Sequence, residues 1–415
     1  MDTRKQTMEM QRNNVPRGPL AGYRVLEIGG VLGSYCGKLL GDLGADVIKT
    51  ELPEGAEDRR LPPFAGDLPG PERSLWHRAW NTSKRSVTLD PATTEGRELF
   101  RALAGSSDAV IDACPPGHLV SLGLGYEALA SENRGLVVTS VTPFGQDGPY
   151  ADFQWNDFLG MAMSGLMAGC GYKDLPPSGG SVPYLAVQGA AMRAAEGTLA
   201  ALWARETLGE GQHVDVSMQE AMVFGLEAQL YTPVFRETIP VWMTRDLPTR
   251  GVTFPYQCTD GFVLMVWAYH VQGMIALLEG EGGAGALSEP RWLEPGYLSE
   301  NQKEADGIVT EFTRTRTRDE VLELAQRHGI PSGALNDARD LVEDPQLHAR
   351  DFFQRVVDEE LGREIATPRP PYLLSETPAV AGRPPRLGEH NVEVYVGELG
   401  VTPATLSALR YSGAI

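Results

Sequence analysis

Two carboxylates stand where the sequence could present them for chemistry. Asp157 follows a predicted strand and begins a helix, and Glu196 lies in a long helix of small residues. A carboxylate can attack an activated carbonyl such as a thioester, or it can transfer a proton. Each also has a structural explanation, because Asp157 could cap its helix and Glu196 could pair with Arg193 at i,i+3 spacing. The structural roles are the favoured interpretation.

A second group of residues could contact phosphate. Lys84 and Arg85 follow a turn at Asn81, and basic side chains are strong partners of phosphate oxygens. Basic residues beside a strand are as often simply solvated, so both explanations stay open. The glycine-rich stretch 29–33 does not complete a G-x-G-x-x-G fingerprint with an acidic residue downstream, so a dinucleotide site is not indicated.

Strands and helices alternate through the first half of the chain. An apolar strand at 23–28 runs into a glycine turn, a helix at 34–43 and a second strand at 45–49. This order is a βαβ unit, which predicts a parallel sheet. Further strands and helices are predicted at 85–89, 94–104, 108–112, 135–141, 187–206 and 213–216. The fold class is therefore α/β, with a doubly wound large domain.

The second half of the chain predicts a smaller domain and a return. A proline- and threonine-rich stretch indicates a linker, and a strand at 262–268 and a helix at 319–328 follow it. The proline-rich end predicts an extended path over the surface. The predicted division is a flexible arm at 1–18, a large domain at 19–231, a linker at 232–255, a small domain at 256–349 and a return to the large domain at 350–415.

Composition excludes several classes of function. The 415 residues carry a formal net charge of −19, which argues against a nucleic-acid partner because such binding needs dense basic charge. The four cysteines lie far apart and have no neighbouring histidines at ligand spacing, so no metal site is predicted. The polar beginning of the chain does not resemble a signal peptide, and no apolar run reaches membrane-spanning length. We therefore predict a cytoplasmic protein without a membrane partner.

Several sequence blocks match a known family in order. They are LGDLGADVIKTE at 40–51, NTSKRSVTLD at 81–90, VTPFGQDGPY at 141–150 and GIPSGALNDARDLVEDPQLHARDFF at 329–353. Together they resemble family III CoA-transferases, the CaiB/BaiF group. The resemblance implies a Rossmann-like large domain, a small domain and two interlocked subunits. It also implies that CoA moves from an acyl-CoA to a carboxylic acid through an aspartate nucleophile, by way of an anhydride and an aspartyl-CoA thioester.

The family's aspartate is missing from this sequence. Counted back ten residues from Gly197, the family position falls on Val187, and a valine cannot form an anhydride or a thioester. Asp157 and Glu196 are low-probability substitutes, and Asp174 could enter only if the following loop folded differently. A racemase is disfavoured, because the position of the racemase histidine is Asn156.

The resemblance places four residues on the side of the CoA moiety: Gly33, Asn81, Lys84 and Arg85. CoA or acyl-CoA is expected as a substrate and not as a bound cofactor. The missing aspartate predicts a non-nucleophilic subunit that works with an aspartate-bearing paralogue. Two alternatives stay open: a homodimeric transferase, lyase or isomerase that uses another residue, and a pseudoenzyme that only binds CoA esters.

Overall fold

The computed structural model describes residues 18–170, 183–226, 230–231, 234, 253–283, 285–358, 361–379 and 381–415. The chain divides into two compact units. Unit 1 takes the described residues of Met1–Met167, Gly179–Glu237 and Gln346–Ile415, and unit 2 takes those of Ala168–Ser178 and Thr238–Pro345. The predicted arm lies outside the described residues except for Gly18, as does most of the predicted linker. The domain boundaries drawn from the sequence stay predictions.

A six-stranded parallel sheet forms the centre of unit 1. Its strands are β1 (Arg24–Gly29), β2 (Asp46–Glu51), β3 (Lys84–Thr88), β4 (Ala109–Ala113), β5 (Val137–Thr142) and β6 (His213–Ser217). Their spatial order is β3-β2-β1-β4-β5-β6, so the direction of winding reverses between β1 and β4. The predicted α/β class is confirmed. In such sheets, ligands bind beyond the carboxyl ends of the strands at this reversal.

Helices cover both faces of this sheet. They are α1 (Val31–Asp42), α2 (Leu75–Trp80), α3 (Thr94–Gly105), α4 (His118–Ser121), α5 (Tyr126–Glu132), α6 (Asp157–Met163), α7 (Leu185–Leu208) and α8 (Met218–Val223). Short 3-10 helices occur along the chain at Glu57–Arg60, Ala65–Asp67, Met167–Gly169, Phe224–Leu226, Gly285–Ser288 and Pro290–Leu293. Because successive strand residues point to opposite faces, each strand contributes to two cores. Val25 packs in the core with α1 and α7, and Leu26 packs in the core with α3.

Helix α7 packs closely because its inner face is made of small residues. Ala186, Ala190 and Ala194 are all fully buried. A Cβ added to Gly197 would lie only 2.9 Å from Val214 Cγ1, so this glycine permits the approach of the neighbouring strand. The helix ends at Gly209, which adopts the left-handed conformation that favours glycine. The small residues of α7 thus allow close packing against its neighbours.

Unit 2 is built on a three-stranded antiparallel sheet with helices. The strands are β7 (Thr253–Cys258), β8 (Gly261–Val266) and β9 (Ser332–Ala334), and the helices are α9 (Val271–Gly280), α10 (Tyr297–Glu300), α11 (Gln302–Thr313), α12 (Arg318–Arg327) and α13 (Ala338–Glu343). The buried Trp267 indole donates a hydrogen bond of 2.7 Å to the Tyr256 hydroxyl, which donates one of 2.6 Å to Asp306. Polar groups in this core are thereby satisfied.

The end of the chain is more regular than its composition predicts. After α14 (Pro345–Ala349) come a hairpin of β10 (Phe353–Asp358) and β11 (Arg363–Pro368), a π-helix at Val392–Glu398 and α15 (Pro403–Ser412). Val394, Tyr395 and Leu406 are buried in the same core as α3. The expectation of an extended surface path is wrong for this part, because its apolar residues repeat at helical spacing and Pro403 stands at the first position of α15, where a helix tolerates proline.

Candidate functional site

Val187, the position to which the count from Gly197 leads, lies in the first turn of α7. Val187 is fully buried and belongs to the same core as Ala186 and Ala190. Tyr184, just before the helix, has φ of 63°, and this left-handed residue sets the direction in which the helix begins. The alternative in which Asp174 enters the site lies outside the described residues. At Val187 the protein therefore presents an apolar side chain to a packed core.

Asp157 faces the same helix end from α6. Its Oδ1 accepts hydrogen bonds from the backbone N–H groups of Ala186, at 2.9 Å, and Val187, at 3.1 Å. A carboxylate here satisfies free amides of the first turn and opposes the positive end of the helix dipole. The side-chain cap of α6 itself is Asn156, which accepts from the N–H of Leu159. The prediction that Asp157 caps its own helix, α6, is therefore wrong, because Asp157 caps α7 instead.

An aromatic group covers this helix end. The rings of Trp76, Trp80 and Tyr184 lie 4.7 to 5.1 Å apart between centroids in tilted or edge-on contacts. Tyr35 adds a further contact with Trp80 at 6.4 Å. Such rings contribute both buried area and specific edge-to-face attraction. They enclose the start of α7 in apolar surface, where an ionised nucleophile would be costly to keep.

Glu196 lies two turns further along α7 on the exposed surface. Its carboxylate pairs with Arg193, the partner that the i,i+3 spacing predicts. The Arg193 guanidinium also lies 4.9 Å from the centroid of the Phe224 ring. Both partners are about half exposed, so this is an ordinary solvated surface pair.

The predicted CoA-side residues Asn81 and Lys84 belong to a buried charged cluster. We use that name for Glu27, Lys49, Asp58, Asn81 and Lys84. Lys84 Nζ donates to Glu27 Oε2 at 2.6 Å, to the Ser34 carbonyl at 2.7 Å and to Asn81 Oδ1 at 2.8 Å. These three bonds use all three ammonium donors. A contact of Lys84 with CoA stays a prediction, and the geometry leaves it no spare donor.

Ion pairs keep the charged cluster ionised. Burial lowers the pKa of Lys84 to about 8, although the adjacent Glu27 acts to raise it. Burial also acts to lower the pKa of Lys49, but the attraction of Asp58 and Glu27 is larger and raises that pKa above its ordinary value. Burial acts to raise the pKa of Asp58, yet Lys49 and His77 hold it well below its ordinary range. The cluster is therefore charged near neutral pH.

Arg85 and Gly33 have structural partners as well. Arg85 donates to Asp46 through two bonds of 2.6 and 2.8 Å and also pairs with Glu398. A Cβ added to Gly33 would lie 3.1 Å from the Cβ of Ala113, so this glycine lets α1 approach β4 closely. Contacts of these two residues with CoA stay predictions.

Two adjoining cavities open at the reversal of the sheet, and we call them together the switch-point cavity. One has a volume of about 400 Å³ and the other about 260 Å³. Both are lined by residues at the ends of β1 and β4, namely Gly29, Gly30 and Cys114. Acidic and basic residues at the cavity are Glu51, Glu57, Arg60, His118 and Asp152. This is the crevice that a doubly wound sheet offers to a nucleotide-like ligand.

The switch-point cavity contains residues that the sequence reasoning missed. Arg60 and His118 were not singled out, because neither lies in a recognisable motif. The available signal was topological, since a doubly wound order places the ends of the first and fourth strands side by side.

None of the helices described in the structure combines the length and hydrophobicity that crossing a bilayer would need.

Comparison with known proteins agrees with this architecture. A model of CoA-transferase family III matches residues 20–391. Subunit BbsE of the succinyl-CoA:(R)-benzylsuccinate CoA-transferase of Thauera aromatica is 33% identical over 410 residues, which cover 95% of this chain and 97% of that subunit. The succinyl-CoA–D-citramalate CoA-transferase of Chloroflexus aurantiacus is 33% identical over 397 residues, covering 95% of this chain and 98% of the relative.

A solved structure has the same fold. The crystal structure of a CaiB/BaiF family protein from Brucella suis matches with a TM-score of 0.82 at 30% sequence identity. The match covers 92% of this chain and 99% of that one.

Proposed function

The chain belongs to CoA-transferase family III, and from that premise we propose that it is the non-nucleophilic subunit of a heteromeric CoA-transferase. One observation carries the proposal: Val187, at the position of the family's aspartate, is a fully buried apolar residue in the first turn of α7. The nearby carboxylate of Asp157 uses one oxygen to cap that helix. The described residues form the α/β fold, whereas the proposed position of the nucleophile carries no carboxylate.

The proposed partner is a paralogue of the same family that carries the aspartate. The two chains would form the interlocked dimer that the sequence resemblance implies, and the partner would carry the covalent steps. A subunit without a nucleophile can still shape a shared substrate pocket in such an assembly. The relative from Thauera aromatica is named as one subunit of its transferase, which supports this organisation.

The proposed donor is succinyl-CoA and the proposed acceptor is benzylsuccinate. Succinyl-CoA stands in the names of both relatives described above, and benzylsuccinate stands in the name of one. The donor is thus supported by two relatives and the acceptor by one. A cytoplasmic location stays a prediction.

Isolation of the native complex tests this proposal. The tagged chain is purified from its own host, the proteins that accompany it are identified by mass spectrometry, and CoA transfer from succinyl-CoA is assayed. We expect an equimolar paralogue with the aspartate, and activity only when both chains are present. An active homodimer of this chain alone would overturn the proposal. Binding of CoA esters without any transfer, with or without a paralogue, would favour the pseudoenzyme.

A second candidate is a transferase in which Asp157 acts as the nucleophile of this chain. It is favoured by one detail, since Asp157 Oδ2 is buried and has no hydrogen-bond partner among the residues that the structure describes. A buried carboxylate oxygen without a partner is unusual in a purely structural residue. The activity of the isolated chain distinguishes this candidate from the subunit.

A further inference from the structure

A second large cavity in unit 1 shares no lining residue with the switch-point cavity. It has a volume of about 570 Å³, which is within the range of small-molecule sites. Helices α1 and α2, the start of α7 and the hairpin of β10 and β11 enclose it. We call it the Arg369 cavity, after the most deeply buried cation in its wall.

Much of the wall is apolar. Its ring and alkyl surfaces come from Leu39, Trp80, Phe352, Val356 and Ile365. These residues belong to different elements that converge on one space, so the apolar surface is three-sided and not a single exposed face. A hydrophobic or aromatic body of suitable size would exchange water contacts for contacts with these side chains.

The charges of the wall do not balance. Lys38 pairs with Asp42, and Arg78 pairs with Asp358. Arg369 is only 8% exposed, and within the described residues no carboxylate forms an ion pair with it. The cavity wall therefore carries one buried positive charge in excess. A buried charge without a counterion is unfavourable, and an anionic group beside it would offset that cost.

Main-chain carbonyls hold the Arg369 side chain in place. Nε donates to Asp351 at 3.0 Å, and Nη2 donates to Arg350 at 2.8 Å. Nη1 donates to Pro370 at 2.7 Å and to Tyr372 at 3.5 Å. A guanidinium has five N–H donors, so one on Nη2 is left over. The side chain is thus fixed in orientation while keeping a donor for a ligand.

Gln188 adds a second polar group to the wall. It lies one residue after Val187, and its side-chain amide makes no hydrogen bond to any residue that the structure describes. The amide can donate to a carboxylate oxygen and is only half-buried. An apolar cavity with a few convergent polar groups is the usual form of a specific ligand site.

We propose that the Arg369 cavity binds a carboxylic acid with an aromatic or branched alkyl body. The carboxylate lies against the guanidinium of Arg369 and the amide of Gln188, and the apolar body packs against Trp80 and Phe352. The site is separate from the switch-point cavity and does not depend on which subunit carries the nucleophile.

Calorimetric titration of the full chain with matched ligands tests the site. The probes are 3-phenylpropanoate, the neutral 3-phenylpropan-1-ol and propanoate, which lacks the ring. Because hydrogen bonds to charged groups contribute more than neutral ones, we expect 3-phenylpropanoate to bind at least about tenfold more tightly than the alcohol. Loss of the ring should weaken binding at least as much. Equal binding of the acid and the alcohol, or no binding of the acid at millimolar concentration, would overturn the proposal.

Two variants locate the binding. Ala79 is exposed and lines the cavity, so Ala79→Trp fills it without disturbing the core and should abolish binding. Ala408→Trp, at an exposed position of α15, is the matched control and should bind normally. Arg369→Gln should remove the preference for acid over alcohol. Should that variant fail to fold, the Ala79→Trp result still decides, and unchanged binding there would contradict the site.

Discussion

The first turn of α7 and the charged cluster are two regions of unit 1 in which the type of a residue does not indicate its role. The turn at Val187, which the sequence predicts to be the position of the family's aspartate, contains an apolar side chain, while the cluster contains carboxylates and amines that hold the fold together. In the turn, the neighbouring Asp157 serves as a cap. The comparison teaches that partners and burial decide the role of an ionisable residue in this chain.

The largest expected effect comes from breaking the charged cluster. Glu27 pairs with both Lys49 and Lys84, and all three side chains are at most 1% exposed. Glu27→Gln removes the carboxylate paired with Lys84 and one of the two paired with Lys49, which should lower the free energy of unfolding of unit 1 by about 3 to 5 kcal/mol. The matched change Glu196→Gln, in a surface pair, should lower the free energy of unfolding by less than about 1 kcal/mol. Urea unfolding of both variants measures the two losses. Similar losses for the two would contradict the comparison.

A smaller effect should follow from crowding the same carboxylate. A Cβ added at Gly37 would lie 1.9 Å from Glu27 Oε2, and this oxygen is held by Lys84. Gly37→Ala must therefore displace an ion pair and should cost about 1 to 3 kcal/mol. Gly105→Ala, which meets no atom within 4 Å, should be neutral or slightly stabilising. Thermal unfolding of both proteins checks the difference, and a harmless Gly37→Ala would mean that the cluster is loosely held.

Asp157 distinguishes a cap from a nucleophile. Asp157→Ala removes the acceptor for the N–H groups of Ala186 and Val187 and should cost about 1 kcal/mol. Asp157→Asn keeps an oxygen in the same place and should restore most of that stability. The assembled transferase should remain active with Asp157→Asn, as measured by CoA transfer from succinyl-CoA. Complete loss of activity in both variants, with normal stability of Asp157→Asn, would instead assign the nucleophile to Asp157.

The most gradual effect is a pH dependence that belongs to the cluster alone. The pKa of Lys84 is about 8 in the folded protein, below its ordinary value of 10.5. Between these values the unfolded chain binds more protons at this group, so its contribution to stability rises with pH. The slope is at most about 1.4 kcal/mol per pH unit. Unfolding measured at pH 7.5 to 10 should show this rise in the parent protein and not in Lys84→Gln. An identical slope in both proteins would show that Lys84 is not the group responsible for the pH dependence.

Much of the sheet could be predicted from the sequence because its signals are local. The strand at 45–49 and the structural strand Asp46–Glu51 differ by a residue or two, since apolar alternation and a flanking glycine mark it. The charged cluster could not be predicted, because Glu27 and Lys84 are 57 residues apart in the chain. The packing of the C-terminal segment joins residues still further apart in the chain, since Asn391 accepts a hydrogen bond from the N–H of Thr88 at a separation of 303 residues.

The candidate site divides in the same way. The prediction that Val187 replaces the family's aspartate comes from counting along the chain, because it depends only on the short segment from Val187 to Gly197. The capping of α7 by Asp157 was not, since it joins two helices across a stretch of 29 residues. Likewise, Arg60, which follows β2, and His118, which follows β4, line the switch-point cavity together only because both strands are neighbours of β1 in the sheet.

Trapping of the covalent intermediate tests the central claim most directly. The assembled enzyme is incubated with succinyl-CoA and quenched with hydroxylamine, which converts an enzyme-bound thioester or anhydride into a hydroxamate at the nucleophilic carboxylate. Mass spectrometry of both chains then locates the modified residue. We expect the hydroxamate on an aspartate of the partner chain and none on this one. A hydroxamate at Asp157 or Glu196 of this chain would contradict the account.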